Sequence, residues 1–235
     1  MKQIIAQIRA ELISIADPVA QETAKRYFKE EIKVYGIRNP VVKSLAQKTL
    51  KKISSTEKQK VFEICDDLWQ SGYLEEGILA CDLAYSQRKF FEEADFKVFE
   101  NWVQLHISNW ACCDTFCNHT VGEFLMRFPK CVGGLSKWAK SPNRWVRRAA
   151  AVSLIVPARK SIFVDEALKI ADILLEDKDD MVQKGYGWLL KTAAESNPER
   201  VIDFVMKRKS KMPRTALRYA IEKMPPEIKK AAMAK

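Results

Sequence analysis

Two stretches of this chain repeat each other at a spacing of 36 residues, and this repeat restricts the possible folds more than any other feature. Segment 143–154, NRWVRRAAAVSL, aligns with segment 179–190, DDMVQKGYGWLL. Both begin with a side chain able to cap a helix and continue into Val-x-Arg or Val-x-Lys. A third segment, 109–118, lies about 35 residues upstream and places Trp110 opposite Trp145. A period of this size is typical of stacked pairs of helices.

Local signals agree with a helical chain. Apolar residues recur three and four positions apart, no segment alternates with period two, and only eight glycines are present. Ser54 to Glu57 has the pattern of a capping box. Four pairs of a capping side chain and a proline each predict a helix start: Asp17-Pro18, Asn39-Pro40, Ser141-Pro142 and Asn197-Pro198. We predict an all-α fold of roughly fourteen helices of about 10–18 residues each.

The repeat period favours paired-helix repeats of the HEAT kind, which stack into a curved solenoid with a concave surface. No low-complexity linker or shift in composition divides the chain. We therefore predict one HEAT-like repeat domain over residues 1–235, with a concave and basic surface.

Positive charge is unevenly distributed along the chain. Forty Lys and Arg stand against thirty Asp and Glu, a net charge of +10. Residues 101–160 have nine basic and two acidic side chains and residues 201–235 have ten and three, whereas residues 51–100 have seven and eleven. Clustering of this kind favours a polyanionic partner. The alternative is a solvated face without a partner.

Several classes of protein are excluded by what the chain lacks. Charges at Lys2, Arg9 and Glu11 interrupt the apolar N-terminal residues, so we expect neither a signal peptide nor a membrane span. The six cysteines lack the spacing of a disulfide framework. We expect reduced thiols in a monomeric cytoplasmic protein, although the composition would suit a nucleus equally.

Few residues have the spacing of a known catalytic or metal site. The chain has two histidines, His106 and His119, and no pattern of a Ser/His/Asp or Cys/His nucleophile. Cys112, Cys113 and Cys117 lie close to His119 but lack the paired Cys-x2-Cys spacing of structural zinc. Phosphate-binding glycine loops are also missing. We predict no metal and no cofactor.

A more informative set of residues lies on the equivalent repeated helices. Trp110 and Asp114 are four residues apart and so share one helical face, as do Lys184 and Trp188. Arg148 lies on the helix between them in sequence. Each residue also has an ordinary explanation, since a Trp at helical spacing usually packs in a core and an Asp near a helix start usually caps it. Asp114 lies too far past Asn109 to cap that helix well.

Gly185 and Gly187 are unusual inside a predicted helix. Each glycine there costs about 1 kcal/mol relative to Ala. We therefore expect that something approaches the backbone closely at these positions.

In order and spacing, several segments resemble the DNA alkylation repair family of HEAT-like DNA glycosylases, the AlkD type. The segments are Arg26-Tyr-Phe-Lys29, Tyr35-Gly-Ile-Arg-Asn-Pro40, Asn109-Trp-Ala-Cys-Cys-Asp114, Trp145-Val-Arg-Arg-Ala-Ala150, Gln183-Lys-Gly-Tyr-Gly-Trp188 and Asn197-Pro198. They cover nearly the whole chain. The resemblance implies a monofunctional glycosylase that removes cationic N3- or N7-alkylated purines from double-stranded DNA in base excision repair.

The resemblance also implies a role for individual residues. Asp114 would be the catalytic carboxylate, with Trp110 and Trp188 as aromatic walls beside it. Residues expected to contact DNA are Arg148, Tyr27, Lys184, Lys191, Arg147 and Lys43. The sequence departs from the family in two places, because Cys112 and Cys113 fill an interval where members can have Ser and Val, and Lys191 replaces an arginine. Lysine keeps the charge but loses the bidentate geometry of a guanidinium.

Two other functions are compatible with a helical repeat. The chain can be a non-catalytic HEAT-like scaffold that binds DNA or another protein, since solenoids commonly serve this purpose. It can also be an RNA-directed binder. Asp114 with Trp110 and Trp188 discriminates the glycosylase from the scaffold, because a purely binding protein has no need for a carboxylate that would repel DNA in a phosphate-binding groove. Preference for alkylated double-stranded DNA over RNA in a binding assay would exclude the RNA-directed binder.

Overall fold

In a computed structural model, residues 2–53 and 57–234 are described, and their secondary structure is helical. The α-helices in chain order are α1 (Lys2–Ser14), α2 (Pro18–Lys25), α3 (Asn39–Lys52), α4 (Lys58–Gln70), α5 (Leu74–Ser86), α6 (Asp95–Leu105), α7 (Trp110–Thr115), α8 (Gly122–Arg127), α9 (Leu135–Trp138), α10 (Arg144–Val152), α11 (Ile155–Arg159), α12 (Val164–Ile173), α13 (Asp180–Ser196), α14 (Pro198–Arg208), α15 (Arg214–Ile221) and α16 (Pro226–Met233). Within those described ranges the only β-type pairing is an isolated bridge between Lys33 and Tyr73. The predicted all-α class is confirmed.

Shorter helical turns join some of these helices. Arg88–Phe90 and Pro129–Gly134 are 3-10 helices, and Phe116–Val121 is a π-helix. The described residues form sixteen α-helices, more than the roughly fourteen predicted, because segments as short as Leu135–Trp138 are separate helices. Among these same residues, no helix has the length and apolar character needed to cross a membrane.

The cap-proline pairs mark helix starts with varying accuracy. Asp17 caps α2 as predicted, since its carboxylate accepts from the backbone N–H groups of Val19 at 2.8 Å and Ala20 at 3.2 Å. Helices α3 and α14 begin at the predicted places, but without a hydrogen bond from a capping side chain. The start predicted at Ser141 is wrong by a few residues, because α10 begins at Arg144. The capping box predicted at Ser54 lies outside the described residues.

The three repeated segments begin in the same way. Asn109 caps α7 by accepting from the N–H of Cys112, and Asn143 caps α10 by accepting from that of Trp145, each at 2.9 Å. Asp179 caps α13 by accepting from Met181 at 2.9 Å. The capping side chains predicted at the starts of segments 143–154 and 179–190 are confirmed, and Asn109 caps the third segment in the same way.

The chain forms two compact units, Met1–Phe116 and Cys117–Lys235. In the first unit, α5 packs against α3, α4 and α7. Aromatic rings fill its core through edge-on contacts, with the ring centroids of Phe62 and Trp102 5.2 Å apart and those of Phe99 and Phe116 5.6 Å apart. The start of α7, which contains Trp110, is therefore attached to a rigid helical core. The single domain over 1–235 stays a prediction.

In the second unit, α13 is the central helix and packs against α10, α11, α12, α14 and α15. Its glycines permit this packing. A Cβ atom at Gly187 would lie 2.6 Å from the Cβ of Tyr219 and 2.8 Å from the carbonyl oxygen of Ala216, so α15 could not approach a larger residue. At Gly185 a Cβ would lie 3.2 Å from Cγ of Arg148. The close approach expected at both glycines is confirmed, and neighbouring helices make it.

Candidate active site

A cavity of about 640 Å³ in the first unit brings together three of the residues predicted from the sequence. Trp110 and Asp114 line it from α7, and Tyr27 lines it from the segment that follows α2. Helix α2, the turn around Gly36 and the start of α5 complete its walls. Most of the lining is apolar or aromatic. A carboxylate beside aromatic rings in such a cavity interacts more strongly with a cation than it would in water.

Trp110 and Asp114 lie one turn apart on the same face of α7, as their spacing predicts. Helix α7 has six residues and is held by the Asn109 cap at one end and by buried Cys112 and Cys113 on the opposite face. Both site residues are partly exposed, whereas the two cysteines are buried. The division of α7 into a core face and a cavity face explains why Trp110 is not a core residue.

Phe28 orients Trp110. Their rings are stacked, with centroids 5.3 Å apart and planes inclined by 18°. Such a pair contributes about 0.5–1.5 kcal/mol beyond the area it buries. Phe28 lines the cavity next to Tyr27, whose side chain is 73% exposed and so accessible to a ligand. Phe28 received no role from the sequence, although the adjacent aromatic residues Tyr27 and Phe28 were a signal for it.

Two further carboxylates line the cavity, and both bind backbone N–H groups. Asp17 caps α2. Glu75 is 4% exposed and accepts from Tyr35 N at 3.0 Å, Gly36 N at 2.9 Å and Ile37 N at 3.0 Å. Sequence reasoning missed Glu75, because an acidic residue in the first turn of a helix is ordinarily explained by the helix dipole. Its role depends on a turn 40 positions earlier in the chain.

Of the six cysteines, five are buried, namely Cys65, Cys81, Cys112, Cys113 and Cys117, and Cys131 is partly exposed. Burial raises the pKa of Cys112 to about 12, and it also raises the pKa values of Cys65 and Cys81 above their ordinary range. The Sγ atoms of Cys112 and Cys81 lie near backbone carbonyl oxygens, Leu74 O at 4.0 Å and Cys112 O at 3.9 Å. Throughout residues 2–53 and 57–234, no group of three or more His, Cys, Asp and Glu is arranged to hold a metal ion.

Arg147 and Arg148 lie in the second unit, on α10. Arg148 is 5% exposed, and its guanidinium donates to the carbonyl oxygen of Met181. Arg147 pairs with Asp177 at 2.7 Å and donates to the carbonyl oxygens of Ser141 and Pro142. Both arginines therefore stabilise the packing around α10, and their contact with DNA stays a prediction.

The remaining predicted cations differ in exposure. Lys184 pairs with Asp180 at 3.3 Å, and Lys191 pairs with Glu222 at 2.9 Å while lying 5.7 Å from the centroid of the Tyr219 ring. Trp188 is partly exposed on α13 and lies one helical turn after Lys184. Lys43 is exposed on α3 in the first unit. Of these four residues, Lys43 is the most exposed.

The chain belongs to the DNA alkylation repair enzyme family, whose sequence model matches residues 8–224. The resemblance drawn from the sequence is therefore confirmed.

Comparison with individual proteins adds a solved structure. A chain described as a predicted DNA alkylation repair enzyme from Enterococcus faecalis superposes with a TM-score of 0.81. The match covers 90% of this chain and 97% of the other, at 19% sequence identity, and so shows a shared fold. A search of curated proteins finds no significant match.

Proposed function

We propose that this protein is a monofunctional DNA glycosylase that hydrolyses the N-glycosidic bond of N3- or N7-alkylated purines in double-stranded DNA. The observation that carries this proposal is the cavity of the first unit, where Asp114 lies with the aromatic side chains of Trp110 and Tyr27. Membership of the DNA alkylation repair enzyme family supports alkylated DNA as the substrate.

The chemistry of the lesion explains why one carboxylate suffices. An N3- or N7-alkylated purine already has a positive charge, so it departs as a neutral base without a general acid. Positive charge then develops on the sugar as the glycosidic bond breaks. Asp114 can stabilise this oxocarbenium-like sugar electrostatically, or orient and deprotonate the attacking water, as carboxylates do in the hydrolysis of other sugars. This reaction requires neither a metal ion nor a cofactor.

The aromatic residues have a complementary role. Indole and phenol faces attract a cation, with about 0.5–2 kcal/mol for each contact. Trp110, held by its stack on Phe28, and the exposed ring of Tyr27 are suited to contact an alkylated base or its sugar. We propose the same kind of contact for Trp188, which is partly exposed on α13.

Binding to DNA would depend mainly on the second unit. Residues 117–235 have 24 Lys and Arg against 13 Asp and Glu. Contacts between such a surplus and phosphates release counterions, so affinity should fall steeply as the salt concentration rises. We include Arg147, Arg148, Lys184 and Lys191 of this unit, and Lys43 of the first, among the proposed DNA contacts.

The decisive experiment measures release of free alkylpurine from methylated double-stranded DNA, for the unmodified protein and for Asp114→Asn. We expect the variant to lose about 100-fold or more in the single-turnover rate, because the developing charge loses its stabilising group. Asparagine is nearly isosteric, so the circular dichroism spectrum and the urea midpoint should stay the same.

A matched control is Glu63→Gln, which removes one negative charge from the exposed face of α4 in the same unit. We expect it to retain the full rate. Release by the unmodified protein no faster than spontaneous depurination would overturn the proposal, and intact DNA binding would then favour the non-catalytic scaffold. Equal loss in both variants would remove Asp114 from the chemistry.

A further inference from the structure

The wall of the cavity that faces α7 consists of a helix with no core of its own. Helix α2 (Pro18–Lys25) has eight residues, and none of them is buried. A helix this short is not stable in water by itself, and no packed apolar face stabilises this one. Its position must therefore depend on the contacts at its two ends.

The N-terminal end of α2 is attached to the turn at Tyr35–Ile37. The backbone N–H of Asp17 and the side-chain amide of Gln21 both donate to the carbonyl oxygen of Tyr35, at 3.0 and 3.2 Å. Gly36 has φ +81°, and a Cβ there would lie 2.3 Å from the carbonyl oxygen of Asp17. The turn and the helix start thus fit together too closely for any residue but glycine.

Glu75 in turn holds this turn in place. Its buried carboxylate accepts three backbone hydrogen bonds, from residues 35, 36 and 37, and thus satisfies three consecutive donors with one negative charge. Charge-assisted hydrogen bonds of this kind are about twice as strong as neutral ones. Glu75 lies on α5, and α5 packs against α7. The turn is therefore attached to the same core that holds Trp110 and Asp114.

The C-terminal end of α2 leads directly into Tyr27 and Phe28, and Phe28 stacks on Trp110. A shift of α2 at its start would therefore move the aromatic wall at its end. We propose that Glu75 is a positioning residue, which fixes α2 through the Tyr35–Ile37 turn and thereby sets the positions of Tyr27, Phe28 and the Trp110 ring. For its effect on catalysis, this inference rests on the proposed function.

The test compares Glu75→Gln with Glu76→Gln. The second variant is a close control, because Glu76 is the adjacent buried carboxylate on α5 but binds Arg9 at 3.0 Å and the hydroxyl of Tyr35 at 2.8 Å instead of the turn backbone. Both variants lose one buried charge. They differ in whether the backbone hydrogen bonds of the turn are affected.

Hydrogen exchange and fluorine NMR report on the order of α2 and on the environment of Trp110, and neither measurement depends on activity. In Glu75→Gln we expect the amides of residues 18–28 and 35–37 to exchange about tenfold faster or more than in the unmodified protein. The exchange rates of amides in α4 and α5 should stay the same. In protein labelled with 5-fluorotryptophan, the Trp110 resonance, assigned from Trp110→Phe, should shift or broaden. Glu76→Gln should show neither selective change.

Kinetics provide the third readout. With methylated double-stranded DNA, Glu75→Gln should raise KM by about tenfold, since the displaced wall contacts substrate, and should leave kcat within about threefold, since Asp114 lies on α7. If the unmodified protein releases no alkylpurine, the proposed function fails, while the exchange and NMR measurements still decide the role of Glu75.

Gly36→Ala provides a second variant should Glu75→Gln fail to fold, because it disturbs the same link while leaving the Glu75 carboxylate intact. It should reproduce the selective exchange in residues 18–28 and the change at Trp110. The inference is overturned if exchange in α2 is no faster in the folded variant than in Glu76→Gln, or if the Trp110 resonance does not change.

Discussion

The two units of this chain differ in their balance of acidic and basic residues and in the sign of their buried charges. Met1–Phe116 has 16 Lys and Arg against 17 Asp and Glu, whereas Cys117–Lys235 has 24 against 13, so the second unit accounts for the whole positive excess. Among the described residues, the buried charged side chains of the first unit are Glu75, Glu76 and Asp95, and that of the second is Arg148.

This difference indicates that buried charges and surface charges have separate roles in this protein. Inside each unit a charge binds backbone groups of the opposite partial charge, N–H groups for Glu75 and a carbonyl oxygen for Arg148. Under the proposed function, the positive surplus of the second unit would attract the phosphates of DNA. The first unit combines a nearly balanced charge with the aromatic cavity. The proposed function therefore places the chemistry in the first unit and most of the DNA affinity in the second.

Loss of a glycine should have the largest effect on the stability of the second unit. Gly187→Ala should lower the free energy of unfolding by about 2–3 kcal/mol, because its methyl group would overlap Tyr219 and Ala216 of α15. Urea denaturation followed by circular dichroism measures the change.

The comparison for this variant is Gly133→Ala, where an added Cβ has no atom of the described residues within 4 Å. We expect a change of within about 0.5 kcal/mol there. Equal midpoints for the two variants would show that α15 moves aside at little cost, and the central position of α13 would then not explain its glycines.

Arg148→Ala tests two roles of one charged residue, which are a buried hydrogen bond within the second unit and a predicted contact with DNA phosphate. Loss of a buried donor to a carbonyl oxygen should reduce the free energy of unfolding by about 2 kcal/mol. The sequence further predicts a phosphate contact, in which case the slope of log affinity against log salt becomes shallower by about 0.9.

Urea denaturation measures the free energy of unfolding, and the salt slope is measured under conditions where Arg148→Ala is fully folded. Reduced stability with an unchanged salt slope would show that Arg148 stabilises the second unit and does not contact phosphate. Its role would then be limited to the buried hydrogen bond with the carbonyl oxygen of Met181.

The smallest effect is expected from Lys43→Ala in the first unit. Lys43 is exposed on α3, so its removal should leave the urea midpoint unchanged. One lost phosphate contact would make the salt slope for double-stranded DNA shallower by about 0.9. A slope identical to that of the unmodified protein would remove Lys43 from the interface and would place the DNA contacts more fully in the second unit.

Much of the fold followed from local signals. The repeat at 36 residues and the apolar spacing predicted an all-α chain, and the capping side chains at Asn109, Asn143 and Asp179 start their helices where expected. Such signals are readable because a cap and its partner lie within three residues of each other. The common face of Trp110 and Asp114 followed from the same helical geometry.

The sequence by itself thus determined the all-α class and the family, and it placed Trp110 and Asp114 on one face of α7. Only the tertiary structure decided that Phe28 stacks on Trp110, that Glu75 holds the turn opposite α7, and that Arg148 is buried. Each of these contacts joins residues from different helices or turns, at separations that no periodicity encodes. Their partners depend on how helices pack, and packing is a property of the whole unit rather than of any segment.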